Sequence, residues 1–532
     1  MKLRLQLFLS LLFFVQCICR AQSLPTYSIT ALDPQSTGYY FLVPIKIGPG
    51  AASIVNTQMI LDHAGNMVYY KKFPGVNTGD FKMHANGLMS YSRQQKFYLM
   101  DSTFTIIDSV IPKNGVLFDG HDIQILPNGH FVILGLENVT MNLSSYNYFG
   151  LNHTNPGSTT ATVKCGVIQE QDAAKNVVFE WHSKDYYNFS DVDPFFLNSP
   201  NNVDWTHFNA VEYDADGNYL ISLRHFNEIT KIKRSDSSIM WRLGGNANQF
   251  TFINDAQQFK GQHDIRRIAN GNITIYDNGR SSPLHPATGK EYQLNETALT
   301  ANLVWSYTEN NSTNSNSLGN HQRLPNGNSL LNYGTLNNLN HVFNVVKPTG
   351  AKVFEIVFTD TLRSYRSFNY PILPWDLKRP VINCATSGTQ TLLDAGSGHT
   401  SYLWNTGATT QTILATNTGT FSVFVSKGQG GFISAPTFTL TNLSNPCGTN
   451  SIKENLHAAA FNIFPNPVND LLTINFIGQH TKVLVTLYNC FGMMIHSEEL
   501  YNKETVEIST SLLPAGIYFL NVNGITKKII KD

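Results

Sequence analysis

Residues 204–280 decide the reading of this chain. They open D-W-T-H-F-N (204–209), run through Y-D-A-D-G-N-Y-L-I-S-L-R-H (213–225) and turn at M-W-R-L-G-G (240–245). They restart as G-Q-H-D-I-R-R-I-A-N-G-N-I-T-I-Y-D-N-G-R (261–280). Each half carries a histidine (His207, His263), a short apolar run, an Asp-Gly or Asn-Gly turn, and a second apolar run. Two apolar runs joined by such a turn predict a β-hairpin.

Outward from this stretch the unit repeats. Polar turns followed by strands fall at residues 62–70, 101–110, 172–181, 233–241, 300–305 and 347–358. Hairpins alternate with them at 83–92, 121–134, 207–223, 263–276 and 321–333, with 362–370 as an incomplete sixth. Four-stranded units repeating at roughly 40–60 residues predict an all-β chain built on a six-bladed β-propeller. A pair of β-sandwiches is the alternative, and it leaves more open sheet edges. Residues 27–47 read as one or two strands leading in. The inserts at 137–161 and 186–202 are expected as loops on one face, where they shape a substrate entrance.

Composition narrows the function. The chain has 532 residues, a formal net charge of zero and 14% charged residues. That is no footprint for nucleic acid. Lys2 and Arg4 precede an apolar run over 5–15, then Cys19-Arg20-Ala21, so residues 1–21 read as a secretory signal peptide rather than a membrane anchor. No later stretch is apolar enough to span a bilayer. The mature chain is therefore expected to be secreted or on the cell surface, by way of the periplasm. Its cysteines (165, 384, 447, 490) form no C-x-x-C pair, and Cys384 and Cys447 bracket a small β-rich segment that a disulfide would suit.

The Pro-rich stretch 371–380 marks a boundary. The domains expected are a propeller over 22–378, a small immunoglobulin-like β module over 379–448, and a C-terminal β-sandwich over 449–532.

Of the 16 histidines, twelve lie between His63 and His341. His121, His207, His263 and His321 each open a hairpin. Counted to the residue before the turn glycine (Asn128, Asp216, Asn270, Asn326), their offsets are 7, 9, 7 and 5. All are odd, so without a bulge all four side chains share one face of their strands. In a propeller that face converges on the axis and gathers imidazoles around one pocket. A lone histidine at a strand start is more often a hydrogen-bonded structural residue. That is the reading for His130, His153, His182, His285 and His341. Arg280 closes D-N-G-R, and Arg224 with His225 holds the matching strand exit one unit earlier; these would offer donors to an oxyanion. Histidines without clustered carboxylates suit either a metal or the transfer of an anionic group through a neutral imidazole.

W-T-H-F-N-A-V-E-Y-D, L-I-S-L-R-H, W-R-L-G-G, G-Q-H-D-I-R-R-I-A-N-G-N-I-T-I-Y-D-N-G-R and H-Q-R-L-P-N-G-N-S-L-L-N-Y-G together resemble the bacterial arylsulfate sulfotransferase family, over roughly residues 39–370. The resemblance implies a six-bladed propeller that moves a sulfuryl group from a phenolic sulfate donor to a phenolic acceptor through a sulfohistidine. It implies no nucleotide sulfate donor, no cofactor and no metal. Carried over by motif, His207, His263 and Arg280 are catalytic, with His321 as the candidate nucleophile. Arg224, His225, His121 and Asn209 are the candidate substrate-binding residues. The tail, with F-N-I-F-P-N-P-V-N-D, G-I-Y-F-L-N-V and K-K-I-I-K-D, resembles the sorting domain of type IX secretion cargo, which implies that machinery as a partner. An extracellular propeller that binds glycan or protein, or a sulfate-ester hydrolase, is the competing reading.

Overall fold

The computed structural model describes residues 24–532 apart from 34–35, 47–55, 75–77, 148, 150–151, 153, 337–340, 359–361, 388–389, 444–446, 448–459, 478–482, 490–493 and 523–524. The expected signal peptide, His153 and Cys490 lie outside the described residues.

The repeat is built on one turn. In the Y-D-A-D-G-N-Y hairpin, Gly217 donates to the Asp214 carbonyl at 2.9 Å and Asp214 donates to the Asn218 carbonyl at 2.8 Å. Gly217 sits at φ +82°, where a Cβ is strained. The equivalent bonds recur at Gly87, Gly129, Gly271 and Gly327.

These hairpins assemble six sheets. The innermost strands are Thr78–Met83, Leu117–Ile125, Phe208–Tyr213, His263–Arg267, Asn320–Arg323 and Leu362–Tyr370. Each touches the next, and the sixth touches the first, so the sheets close into a propeller. Neighbouring sheets pack through apolar faces. Phe208 of the third sheet lies so close over the second that a Cβ on Gly166 would meet its ring at 2.4 Å.

The N-terminal strands are not a lead-in. Tyr27–Leu32 pairs with the outer strand Lys352–Phe358 of the fifth sheet. Tyr39–Lys46 lies beside Leu362–Tyr370, so the incomplete sixth hairpin is completed by the start of the chain. Closing the ring with strands from both ends leaves no open inner edge.

Charge fills the axis. Asp80, Asp122 and Asp264 hold equivalent places on three inner strands. Lys82 lies 2.6 Å from Asp80 and 2.5 Å from Asp122. Arg266 lies 2.9 Å from Asp122 and 2.8 Å from Asp264. Arg366, fully buried, reaches Asp80 at 3.0 Å, Asp122 at 3.2 Å and Asp264 at 3.3 Å. Buried ions need this mutual compensation for the water they lose.

Beyond the ring, Gly431–Ser434 of the next β module pairs with Met67–Phe73 and covers the outer edge of the sixth sheet. Cys384 and Cys447 are joined by a disulfide, and Cys165 is free and buried. The C-terminal region packs two sheets around Leu472, Ile474, Leu487 and Leu520. No helix among the described residues is long and apolar enough to cross a membrane.

Candidate active site

Equal parity along a strand does not survive a bulge. The inner hairpins of the second, third and fourth sheets each slip register where their histidine enters, and that of the fifth does not. Seven places before the turn residue stand His121, Asn209 and His263; His207 lies two places earlier and His321 two later. The residues matching His321 in the second, third and fourth sheets are Ile123, Val211 and Ile265, all fully buried core.

His321 is accordingly a core residue, which corrects its expected place in the pocket. It is fully buried, with its ring centroid 5.2 Å from that of Trp305. Its Nε2 bonds Ser329 Oγ at 2.9 Å and its Nδ1 bonds the Lys290 carbonyl at 3.1 Å. Burial pushes its pKa down to about 3. Asn209 is also internal: its Nδ2 donates to the Gln262 carbonyl at 2.7 Å, tying the third sheet to the fourth.

Three other histidines do converge. The ring centroids of His121 and His207 are 5.2 Å apart, and those of His207 and His225 are 4.6 Å apart. His207 Nδ1 lies 2.6 Å from Asp204 Oδ2, which fixes the Nδ1–H tautomer and leaves the Nε2 lone pair free of any hydrogen bond among the described residues. His207 sits at φ +47°, a left-handed conformation that a histidine adopts only where the surroundings hold it. His121 Nδ1 pairs with Asp119. His225 donates from Nδ1 to the Asp204 carbonyl at 2.6 Å, and its Nε2 faces Arg224 Nη1 at 2.7 Å. His263 stands behind them, buried, with Nδ1 on Asn278 Oδ1 at 2.8 Å and Nε2 accepting from the Leu318 N–H at 3.2 Å.

Their electrostatics differ. Burial lowers the His207 pKa, and Arg224 and His121 lower it further against the pull of Asp204. For His121, burial opposes the proton, but the Asp119 carboxylate outweighs it and the group titrates above its ordinary value. His225 and His263 are held well below the usual range by burial and neighbouring cations.

Beside this cluster lies a cleft of about 340 Å³ lined by Phe195, Phe196, Asn198, Arg224, His225, Arg280 and Asn316. Phe195 and Phe196 come from the 186–202 insert, expected to shape the entrance, where a 3-10 turn spans Pro194–Phe196. The Arg224 guanidinium sits 4.9 Å above the Phe196 ring, and that of Arg280 sits 5.1 Å above Phe195. Arg224 Nη2 donates to the Asn316 carbonyl at 2.6 Å, and its buried Nε has no partner among the described residues. Burial and the nearby Arg280 bring the Arg224 pKa down to about 10, although Asp204 opposes them. Among the described residues neither guanidinium forms an ion pair with a carboxylate. Two cations facing one cleft, each backed by an aromatic ring, favour an anion with an apolar body. Asp204, His207 and His225 are close enough together to hold a cation, but the guanidinium against His225 Nε2 opposes one.

Residues 91–342 match the arylsulfotransferase (ASST) family, and residues 462–532 match a secretion system C-terminal sorting domain. The chain carries an arylsulfotransferase domain. That match supports an aryl sulfotransferase at family level, and His121, His207, His225, His263, Arg224 and Arg280 all fall within residues 91–342. The sorting domain marks the chain for export to the cell surface or beyond. No curated protein matches the chain. Among solved structures, a Bacteroides caccae protein of unknown function is 11% identical, with TM-score 0.39, covering 62% of this chain and 98% of its own. A streptogramin B lyase is 10% identical, with TM-score 0.33, covering 63% and 88%. The virginiamycin B lyase of Staphylococcus aureus is 10% identical, with TM-score 0.32, covering 69% and 95%. These likenesses are too distant to bear on chemistry.

Asp204, Asp119, Phe195, Phe196, Asn198 and Asn316 join the residues expected from sequence at this site. An Asp three residues before His207 and another two before His121 are the sequence signals for the two carboxylates. The two phenylalanines lie in an irregular insert and gave none.

Proposed function

We propose that the protein transfers a sulfuryl group from an aryl sulfate to a phenol through a sulfated histidine, and that His207 is the nucleophile. The observation that carries this reading is the pair Arg224 and Arg280, without a carboxylate ion pair among the described residues, in one cleft beside an imidazole oriented by Asp204.

Arg224 and Arg280 bind the sulfate oxygens, and the phenylalanine rings line the aryl portion. His207 Nε2 attacks sulfur; the N–S bond forms as the bond from sulfur to the aryl oxygen breaks. The cations stabilise charge on the sulfuryl oxygens. His121, protonated through Asp119, gives its proton to the departing aryl oxygen. An acceptor phenol then returns a proton to His121, its oxygen attacks sulfur, and the N–S bond breaks. His207 is restored, and the kinetics are ping-pong. His225 and His263 keep the cleft's geometry. The sorting domain is read as the signal for type IX secretion, reached from the periplasm after removal of the N-terminal signal.

Intact mass of the purified protein, taken after brief exposure to 4-nitrophenyl sulfate at mildly alkaline pH, tests this. The expected result is a gain of one sulfuryl group that is lost on adding phenol. Nitrophenol release without an acceptor and without a mass gain would indicate a hydrolase. Neither release nor gain would return the chain to the binding-module reading.

A further inference from the structure

Three segments that line the cleft meet at one carboxylate that lines none of it. Asp193 precedes the 3-10 turn Pro194–Phe196, and its Oδ1 accepts from the Phe195 N–H at 3.0 Å. Its Oδ2 accepts from Asn227 Nδ2 at 2.6 Å and from the Ser281 hydroxyl. Its own N–H donates to the His225 carbonyl at 2.8 Å. Asn227, at φ +53°, closes the turn Arg224–Phe226 that carries one arginine, and Ser281 directly follows the other. The Phe196 ring stacks on His225 at 4.4 Å.

We propose that Asp193 is a positioning residue. It pins the insert bearing Phe195 and Phe196 to the segments bearing Arg224 and Arg280, and so sets the width of the slot and which aryl rings fit. The ring's identity as an aryl sulfate rests on the sulfotransfer reading; the pinning does not. A carboxylate suits this place because all three side-chain contacts are donors and it offers only acceptors. An asparagine has one acceptor oxygen, so it must turn an N–H toward at least one of those donors and leave it unpaired.

Two measurements on full-length Asp193→Asn test the assignment. The first is amide hydrogen exchange without ligand, expected to quicken at residues 193–198, 224–227 and 280–281 while the inner strands are unchanged. The second is the ratio of kcat/KM for 2-naphthyl sulfate to that for 4-nitrophenyl sulfate. Relative to the unaltered protein it is expected to shift by about 10-fold, as misplacing a substrate wall does. Loss of folded protein lowers both rates alike and leaves that ratio fixed, so a purely structural role would not move it. Ser281→Ala removes one donor and serves if the first variant does not fold; the same changes are then expected, smaller in size. An unchanged ratio, or unchanged exchange at those segments, overturns the proposal. Should the unaltered protein be inert towards both esters, the sulfotransfer reading falls, and exchange alone decides the pinning.

Discussion

His121 and His207 stand edge to face, their ring centroids 5.2 Å apart, and each is held by its own carboxylate, Asp119 and Asp204. The rings touch, yet their pKa values move apart: His207 falls below its ordinary value and His121 rises above it. Drawing one imidazole toward its neutral form and its neighbour toward the protonated form is the division of labour that a nucleophile and a proton donor need.

The pH dependence follows from that split. His207 must be neutral to attack, and its lowered pKa places the rising acid limb below the ordinary 6.5. His121 must be protonated to assist the leaving group, and its raised pKa places the falling alkaline limb above 6.5. A plot of kcat/KM against pH is expected to be bell-shaped around that value. In His121→Asn the alkaline limb should vanish and the rate fall by about 10²–10⁴-fold, with the least activated leaving groups suffering most.

Removing the nucleophile separates two histidines that look alike in sequence. His207→Asn should abolish the sulfuryl mass gain and nitrophenol release. His321→Asn should keep the mass gain and instead lower the melting temperature, because the ring fills a core position and satisfies Ser329 and the Lys290 carbonyl. A mass gain lost only in the His321 variant would reverse the assignment.

The arginines are expected to act mainly on charge in the transition state. Arg280→Gln should lower kcat/KM by about 10²–10³-fold, the usual cost of one oxyanion donor. Arg280→Lys should recover only part of this, since an ammonium lacks the planar fork and stacks poorly on Phe195. Steady-state kinetics with 4-nitrophenyl sulfate reads both.

Glu212 supplies a stability test away from the cleft. Burial pushes its pKa up to about 7 from an ordinary 4.5, even though Arg266 and Gln124 favour the ionised form. Between those values the folded protein keeps a proton that the unfolded chain has lost, so this group's contribution to stability declines as pH rises through the window. Glu212→Gln cannot ionise, and its melting temperature should fall less between about pH 4.5 and 7 than that of the unaltered protein. Parallel melting profiles of the two proteins would count against the shift.

Much of the fold could be read directly. The Asp-Gly and Asn-Gly turns in residues 204–280 announce hairpins because glycine takes the positive φ they require without strain, and their repetition announces the propeller. Sulfotransferase resemblance, sorting tail, and the pairing of Cys384 with Cys447 were also legible. The two N-terminal strands join the fifth and sixth sheets instead of leading in, because which edge a strand joins depends on partners more than three hundred residues away.

The histidines mark where sequence stopped. Counting by twos placed His121, His207, His263 and His321 on one face, and a strand obeys that count only while its register is unbroken. Register slips in the inner hairpins of the second, third and fourth sheets, and none in that of the fifth, left His207 beside the cleft and His321 in the core. Turn chemistry and apolar alternation are local, so the hairpins, the ring they build and the supply of histidines and arginines were legible in the order of residues. Which of those side chains meet was not, because bulges, ring closure and the insert pinned by Asp193 act through contacts between segments that the linear order keeps apart.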